Sequence, residues 1–535
     1  MQKILILVTI IILIFFIMRL KFNNFRPSEI ISTNTGLVQG IYSNGISAFK
    51  GIPYAAPPIG NLRWQPPQPL RPWKGIKKAT KYGSKCFQPD APNRSTKFIG
   101  SEDCLFLNVW TPNLASTEPL PVLFYIHGGA YFLGSADDSF NDSTGKRVYA
   151  YEGDVLAKEF NSIVVTINYR LGTLGFLGHS ALSAESGYGG SGNYGFMDQI
   201  QSLKWVQENI SSFGGDPNKV MIFGTSAGGS SVTVLLASPQ AKGLFTSAII
   251  QSADDYTASL KETEAKGTLL AQALGCAKVK DIAKCLRSHS AREIYETLPL
   301  TMEAGKAFSY APSIDNYVLP EPRLEIIKKG KHNRVPVIVL STAEEFNTVI
   351  QTVYPEPITT DEEYQKAVRD YWAFVPGGPE PILKQYLSYE YLSPYFALIA
   401  IFSDYDYTAP ARRYARALAA HQKKSVWKTV FAHTFRNGIW SQYGPAHGIQ
   451  DAFIFQKFES PPDAEELVLA KTIDRYWTRL AATNNPNGGN DPVWETYNPH
   501  LDNYLSLEIP ITNGRGFRAR QSDFWDNIQK AHPVN

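Results

Sequence analysis

Gly224-Thr225-Ser226-Ala227-Gly228 decides how this 535-residue chain is read. The short apolar run Val220-Met221-Ile222-Phe223 precedes it, and residues 229–236 after it can start a helix. A strand, a G-x-S-x-G turn and a helix together make a nucleophile elbow. The turn is so tight that side chains at its two glycine positions would collide. The middle serine is held at the carboxyl end of the sheet with its hydroxyl exposed. Activated by a base, such a serine attacks carbonyl carbon. The pentapeptide alone is a weak signal, because glycine and serine are common. The strand and helix signals on either side give it weight.

Working outward, apolar runs alternate with helical patterns. Residues 37–41 and 46–51 read as paired short strands, and residues 53–72 are dense in proline and form an extended loop. Residues 121–127 and 162–169 read as buried strands. Residues 197–210 carry Ile200, Leu203, Val206 and Ile210 at helical spacing, just before the elbow strand. Residues 248–252 and 335–340 continue the alternation, and residues 254–407 look more helical and suited to cap one face. Strands separated by helices imply an α/β fold, a mostly parallel central sheet with helices on both faces. No internal repeat or linker divides the body, so residues 25–535 are expected to form a single domain.

Hydrophobic residues are 44% and charged residues 19%, enough for a large packed core and against disorder. The net charge is +3 with scattered Lys and Arg, so no nucleic-acid surface is expected. Residues 4–18 are uncharged and apolar between Lys3 and Arg19. Residues 1–24 therefore read as a signal peptide or an uncleaved signal anchor. Either reading makes the protein secreted or membrane-anchored, with its body outside the cytosol. The four cysteines agree with an oxidising compartment. Nearest-neighbour pairing would join Cys86 to Cys104 and Cys276 to Cys285, each bridge contributing about 3 kcal/mol in the loop-entropy account. Four cysteines allow three connectivities, and the sequence alone does not choose. Asn93, Asn141 and Asn209 stand in glycosylation triplets, which arise often by chance.

Acyl transfer needs a nucleophile, a base, an acid that orients the base, and donors for an oxyanion. In the elbow class the chain order is Ser, then Asp/Glu, then His. After Ser226, His447 lies in a loop with turn residues on both sides, Tyr443-Gly444-Pro445-Ala446-His447-Gly448. Glu344 and Glu345 follow the apolar run 335–340, and either could be the acid; acids at a helix start are the plainer explanation of the pair.

The chain resembles the type-B carboxylesterases, an α/β-hydrolase family that includes cholinesterases and the non-catalytic neuroligins. The resemblance spans residues 38–497. It rests on Phe49-Lys50-Gly51-Ile52-Pro53-Tyr54-Ala55, on Ser101-Glu102-Asp103-Cys104-Leu105-Phe106-Leu107-Asn108-Val109, on Asn168-Tyr169-Arg170-Leu171-Gly172 and on Phe213-Gly214-Gly215-Asp216-Pro217. Tyr476-Trp477 and Asn485-Pro486-Asn487 extend it. It implies Ser226 as nucleophile, Glu345 as acid and His447 as base. It implies an oxyanion hole from the amides of Gly129 and Ala130, in His127-Gly128-Gly129-Ala130, with Ala227 as third donor. It implies the disulfides Cys86–Cys104 and Cys276–Cys285. No metal or organic cofactor is needed for this chemistry.

Several positions depart from the family pattern. Thr225 stands where Glu usually precedes the nucleophile, and Gln450 where Glu usually follows the base by three residues. The two face each other in the family fold, so an acidic pair is expected to have become neutral. Phe346 replaces the glycine after the acid, and Thr348 the aromatic residue three positions after it. Residues 87–103 lack the tryptophan that cholinesterases use for cationic substrates. The expected function is hydrolysis of small to medium, mainly neutral carboxylic esters, with a small-molecule ester as the only partner implied. The alternative is a neuroligin-like binding or adhesion protein on which hydrolysis is lost or incidental. The sequence sets neither the natural ester nor the oligomeric state.

Overall fold

The computed structural model describes residues 26–91, 97–297, 310–422 and 425–531. The expected signal peptide or anchor in residues 1–24 lies outside the described residues, as does Asn93. Among the described residues no helix is long and apolar enough to cross a membrane.

A thirteen-stranded mixed sheet organises the fold. From one edge its order is Arg26–Thr33, Gly36–Ser43, Ile46–Pro53, Phe106–Thr111, Ile163–Ile167, Leu120–Ile126, Gly215–Thr225, Ser247–Gln251, Val337–Thr342, Val426–Phe431, Asn503–Leu507 and Thr512–Arg515. Ile76–Lys78 pairs with Gly36–Ser43 off this path. The strands from Ile163–Ile167 to Asn503–Leu507 run parallel, and antiparallel strands flank them at both ends. The expected strands are therefore present, and the proline-dense stretch forms only a short turn at Gly60–Leu62.

Both faces of the sheet are covered, which is why its central strands are apolar on both sides. Val122, Phe124 and Ile126 enter one core and Leu123 and Tyr125 the other. The helix Tyr194–Asn209 buries Phe196, Ile200, Leu203 and Val206 in the first core. The helix Ala464–Thr483 buries Leu469, Ile473, Trp477 and Leu480 in the second. A third cluster, built mainly from residues 346–409 and Trp525, stands apart from these two. Cys86 is bonded to Cys104 and Cys276 to Cys285, the nearest-neighbour pairing. Asn141 is exposed, whereas Asn209 is buried with its amide bonded to Trp205 O and Asn34 N. A glycan at Asn209 is incompatible with that packing.

The topology locates the site. From Leu120–Ile126 the chain crosses to Ile163–Ile167 on one side and returns to Gly215–Thr225 on the other. That reversal opens a crevice at the carboxyl ends of parallel strands, where α/β sheets bind ligands. The residues that emerge there are His127-Gly128-Gly129 and Ser226.

Candidate active site

Ser226 adopts φ 63° and ψ −127° between the Gly215–Thr225 strand and the Ala227–Ala237 helix. A non-glycine residue with positive φ is strained and persists only where its surroundings hold it. Here the Ser226 amide donates to Gln251 O at 3.0 Å, and Ser226 O accepts from Ser230 N at 2.8 Å. The two glycines of the motif allow the close approach. A Cβ on Gly224 would lie 2.4 Å from Ile126 O, and one on Gly228 would lie 2.0 Å from the same atom. The elbow strand and its helix thus press against the Leu120–Ile126 strand at a spacing only hydrogen permits.

Glu345 and His447 meet across 102 residues of chain. His447 Nδ1 lies 2.6 Å from Glu345 Oε2. Glu345 is fully buried, and its Oε1 accepts the Thr342 amide at 2.7 Å. The backbone fixes the same approach: His447 N donates to Glu345 O at 3.1 Å and Glu344 N to Pro445 O at 3.2 Å. Glu344 turns elsewhere, accepting from Asn347 Nδ2 at 3.0 Å, and burial raises its pKa. Of the two candidate acids, Glu345 is the one on the imidazole. Phe346 does not disturb this arrangement. Its amide donates to Ser403 Oγ at 3.0 Å and its ring stacks on Phe402 with centroids 4.8 Å apart.

Ser226 and His447 line one cavity of about 600 Å³ together with Gly129 and Ala130. His447 Nε2, on the ring edge away from Glu345, is buried and has no protein partner among the described residues. Gly129, Ala130 and Tyr131 all have positive φ, at 102°, 50° and 63°, so the loop after Gly128 coils tightly at the cavity edge. Ala227 opens the elbow helix, where first-turn amides lack intrahelical acceptors. Phe132, Leu133, Phe140, Phe346, Val349 and Trp440 give the cavity a mostly apolar wall, and Thr348 is part of it.

Thr225 and Gln450 do face each other: Gln450 Nε2 donates to Thr225 Oγ1 at 3.1 Å. The expectation of a neutral pair is nevertheless incomplete, because Thr225 Oγ1 donates to Asp451 Oδ1 at 2.7 Å. A carboxylate is retained beside the elbow, one residue further along than the pattern suggested. Sequence reasoning also missed Tyr407. A π-helical turn, Asp404–Thr408, places its ring 4.6 Å from the imidazole centroid, on the wall of the cavity that Ser226 also lines. Burial pushes the Tyr407 phenol well up, so it stays protonated. Asp451 had a legible signal, an acid one turn after His447. The π turn had none.

A sheet with this topology and a glycine-framed serine at its switch point defines an α/β-hydrolase. The carboxylesterase family profile matches residues 27–525. Carboxylesterase 1D of Rattus norvegicus is 31% identical over 557 residues, covering 94% of this chain and 93% of its own length. Liver carboxylesterase of Sus scrofa is 30% identical, with 93% of each chain covered. Among solved structures, a PNB esterase superposes with a TM-score of 0.77 at 30% identity, covering 93% of this chain and 99% of its own. The chain belongs to the carboxylesterase family, and it is a serine carboxylic-ester hydrolase. A catalytically silent adhesion protein is not favoured by these relatives.

Proposed function

We propose that Ser226, His447 and Glu345 are the catalytic triad, and that the protein cleaves small to medium, mainly neutral carboxylic esters through an acyl-enzyme. The observation that carries this reading is the 2.6 Å contact between His447 and Glu345 beside a cavity that Ser226 also lines. In this mechanism His447 Nε2 takes the Ser226 proton as the hydroxyl attacks the ester carbonyl. Glu345 holds the other imidazole nitrogen and stabilises the imidazolium. The amides of Gly129, Ala130 and Ala227 receive the developing oxyanion, where one such donor contributes about 3 kcal/mol. His447 then protonates the departing alcohol, activates water and restores the serine.

The apolar wall supports neutral esters, since an uncompensated charge there would lose its hydration. The absence of a tryptophan from residues 87–103 and the presence of Thr348 support the same reading, because no cation–π cage is built from those positions. The two disulfides support a non-cytosolic location.

Turnover of p-nitrophenyl esters from acetate to decanoate is the test, run with and without a serine-directed organophosphate. The expected result is organophosphate-sensitive hydrolysis with an optimum at intermediate acyl length. Ser226→Ala is expected to lower kcat by about 10⁶-fold without unfolding the protein. Undiminished turnover in Ser226→Ala would reject the assignment. A clear preference for a choline ester over its neutral isostere would reject the substrate class.

A further inference from the structure

Asp451 is 8% exposed and is held by three donors, none of them charged. Thr225 Oγ1 donates to Oδ1 at 2.7 Å, and Gln251 Nε2 to the same oxygen at 3.1 Å. Tyr125 donates its hydroxyl to Oδ2 at 2.9 Å. The Thr225 hydroxyl itself accepts from Gln251 Nε2 at 2.6 Å and from Gln450 Nε2 at 3.1 Å. A hydroxyl has one proton and two lone pairs, so with both lone pairs engaged its proton must point at Asp451.

This network grips the elbow from three sides. Thr225 is the residue immediately before the nucleophile. Gln251, which bridges Thr225 and Asp451, also accepts the Ser226 amide through its main-chain oxygen. Tyr125 belongs to the strand that leads into Gly128 and Gly129. Trp477 Nε1 completes the set by donating to Gln251 Oε1 at 3.2 Å, which fixes which end of that amide carries its NH₂. An ionised carboxylate only accepts hydrogen bonds. A neutral carboxyl is a weaker acceptor than a carboxylate, so a proton added to Asp451 loosens its hold on Thr225, Gln251 and Tyr125.

We propose that Asp451 is a positioning residue whose ionised carboxylate holds the Ser226 elbow and favours the charged His447, so that activity requires both groups deprotonated on the acid side. The inference rests on the ester-hydrolase mechanism above. Burial pushes Asp451 up to about 6, while its bonds from Thr225 and Tyr125, the neighbouring His447 and the bond from Gln251 draw it down. The groups around it are known from every side. His447 and Gln450 precede it in its own segment, and Tyr125, Thr225 and Gln251 reach it from three strands. Tyr151 packs on Tyr125 with centroids 4.7 Å apart. Of the ions lining the same cavity, Lys457 is paired with Asp154 and Asp138 with Lys85. Among the described residues no Lys or Arg forms an ion pair with Asp451, so proton uptake there is not opposed by a fixed cation.

The test is the pH profile of kcat/KM for p-nitrophenyl butyrate with wild type, Asp451→Asn and Thr225→Val. Two required deprotonations give the wild-type acid limb a limiting slope approaching two, and Asp451→Asn reduces it to one. Asp451→Asn also lowers kcat about tenfold, because it removes hydrogen bonds to a charged acceptor. Thr225→Val keeps the carboxylate but removes one donor to its charged form, so the limb moves to higher pH with its slope unchanged. If Asp451→Asn does not fold by circular dichroism, the displaced limb of Thr225→Val decides alone. A wild-type slope of one, or a Thr225→Val limb that does not move, overturns the inference. A wild type without organophosphate-sensitive turnover overturns the esterase mechanism instead. The downfield proton NMR signal of His447 Nδ1–H then separates the two failures. A second titration step near Asp451's midpoint, lost in Asp451→Asn, shows the coupling without any turnover, and its absence overturns it.

Discussion

The floor and the roof of the cavity are built by different means. The floor consists of Ser226 and the Gly128-Gly129-Ala130 loop, which leave the sheet at the ends of two adjacent parallel strands. Its shape comes from backbone pressing on backbone, with Ile126 O at 2.4 Å and 2.0 Å from where Gly224 and Gly228 would carry a Cβ. The roof draws Phe346 and Val349 from the segment after Glu345, Tyr407 from the π turn, and Trp440 and Tyr443 from the Ile439–Tyr443 turn. Its shape comes from side chain on side chain: Phe346 on Phe402, Tyr407 on His447, Trp440 on Phe140 at 4.9 Å. The difference teaches where tolerance lies. A backbone contact at hydrogen spacing leaves no room for adjustment, whereas apolar side chains of similar volume repack at modest cost.

The sharpest way to break this contrast is to add one methyl group to the floor. In Gly228→Ala the new Cβ meets Ile126 O and also lies 3.0 Å from His127 O, both backbone atoms that cannot swing aside. The elbow must shift, and a displacement of about 1 Å at a reacting group is enough for a hundredfold loss of rate. The expected outcome is a fall in kcat of at least about 10²-fold in protein that still folds. Near wild-type kcat would show that the elbow is pliant, and the distinction between floor and roof would fail.

The same distinction explains what the sequence disclosed. Gly224 and Gly228 could be read because a tight turn demands glycine at those two places. The strand at residues 121–127 could be read because parallel strands buried on both faces are continuously apolar. Val426–Phe431 was harder, since Lys428 in its middle argues against a buried strand. The structure resolves this by bonding Lys428 Nζ to Asp502 Oδ1 at 3.1 Å, a partner 74 residues away. Glu345 could be separated from Glu344 only by family resemblance, because which of two adjacent acids meets His447 depends on a loop 102 residues away. Tyr407 and Trp440 were not legible at all. No local pattern signals a π turn, and their place over the cavity follows from the packing of separate segments.

A middle-sized effect is expected in the roof. Trp440 packs on Phe140 and on Phe435, with centroids 4.9 Å and 5.6 Å away. Trp440→Ala is expected to raise KM for p-nitrophenyl butyrate about tenfold with kcat held within about threefold, the scale of lost apolar contact in a pocket. The enlarged cavity should also move the optimum of a chain-length series toward longer acyl groups. A kcat loss matching that of Gly228→Ala would place Trp440 with the floor.

The smallest effect concerns how the roof is held rather than what it touches. Asp406 sits beside Tyr407 in the π turn and is half-buried. Burial raises it to about 8, with Asp254 and Asp255 adding like-charge repulsion. The cations nearby are already engaged: Arg323 pairs with Asp254, and Arg413 with Asp255 at 2.7 Å. The folded pKa therefore lies above that of an unfolded aspartate, about 4. Between these values the folded state holds the proton more tightly than the unfolded state. Asp406 thus makes stability fall as pH rises through that window and level off above about pH 8. Asp406→Asn removes the ionisation. Its melting temperature should exceed that of wild type by more at about pH 8.5 than at about pH 5, with kcat near neutrality changed by less than about twofold. Thermal scans at the two pH values, with kcat measured alongside, check both parts. An equal gain at both pH values would mean that Asp406 does not titrate in this window. A large kcat change would mean that the π turn governs the floor as well as the roof, through the packing of Tyr407 on His447.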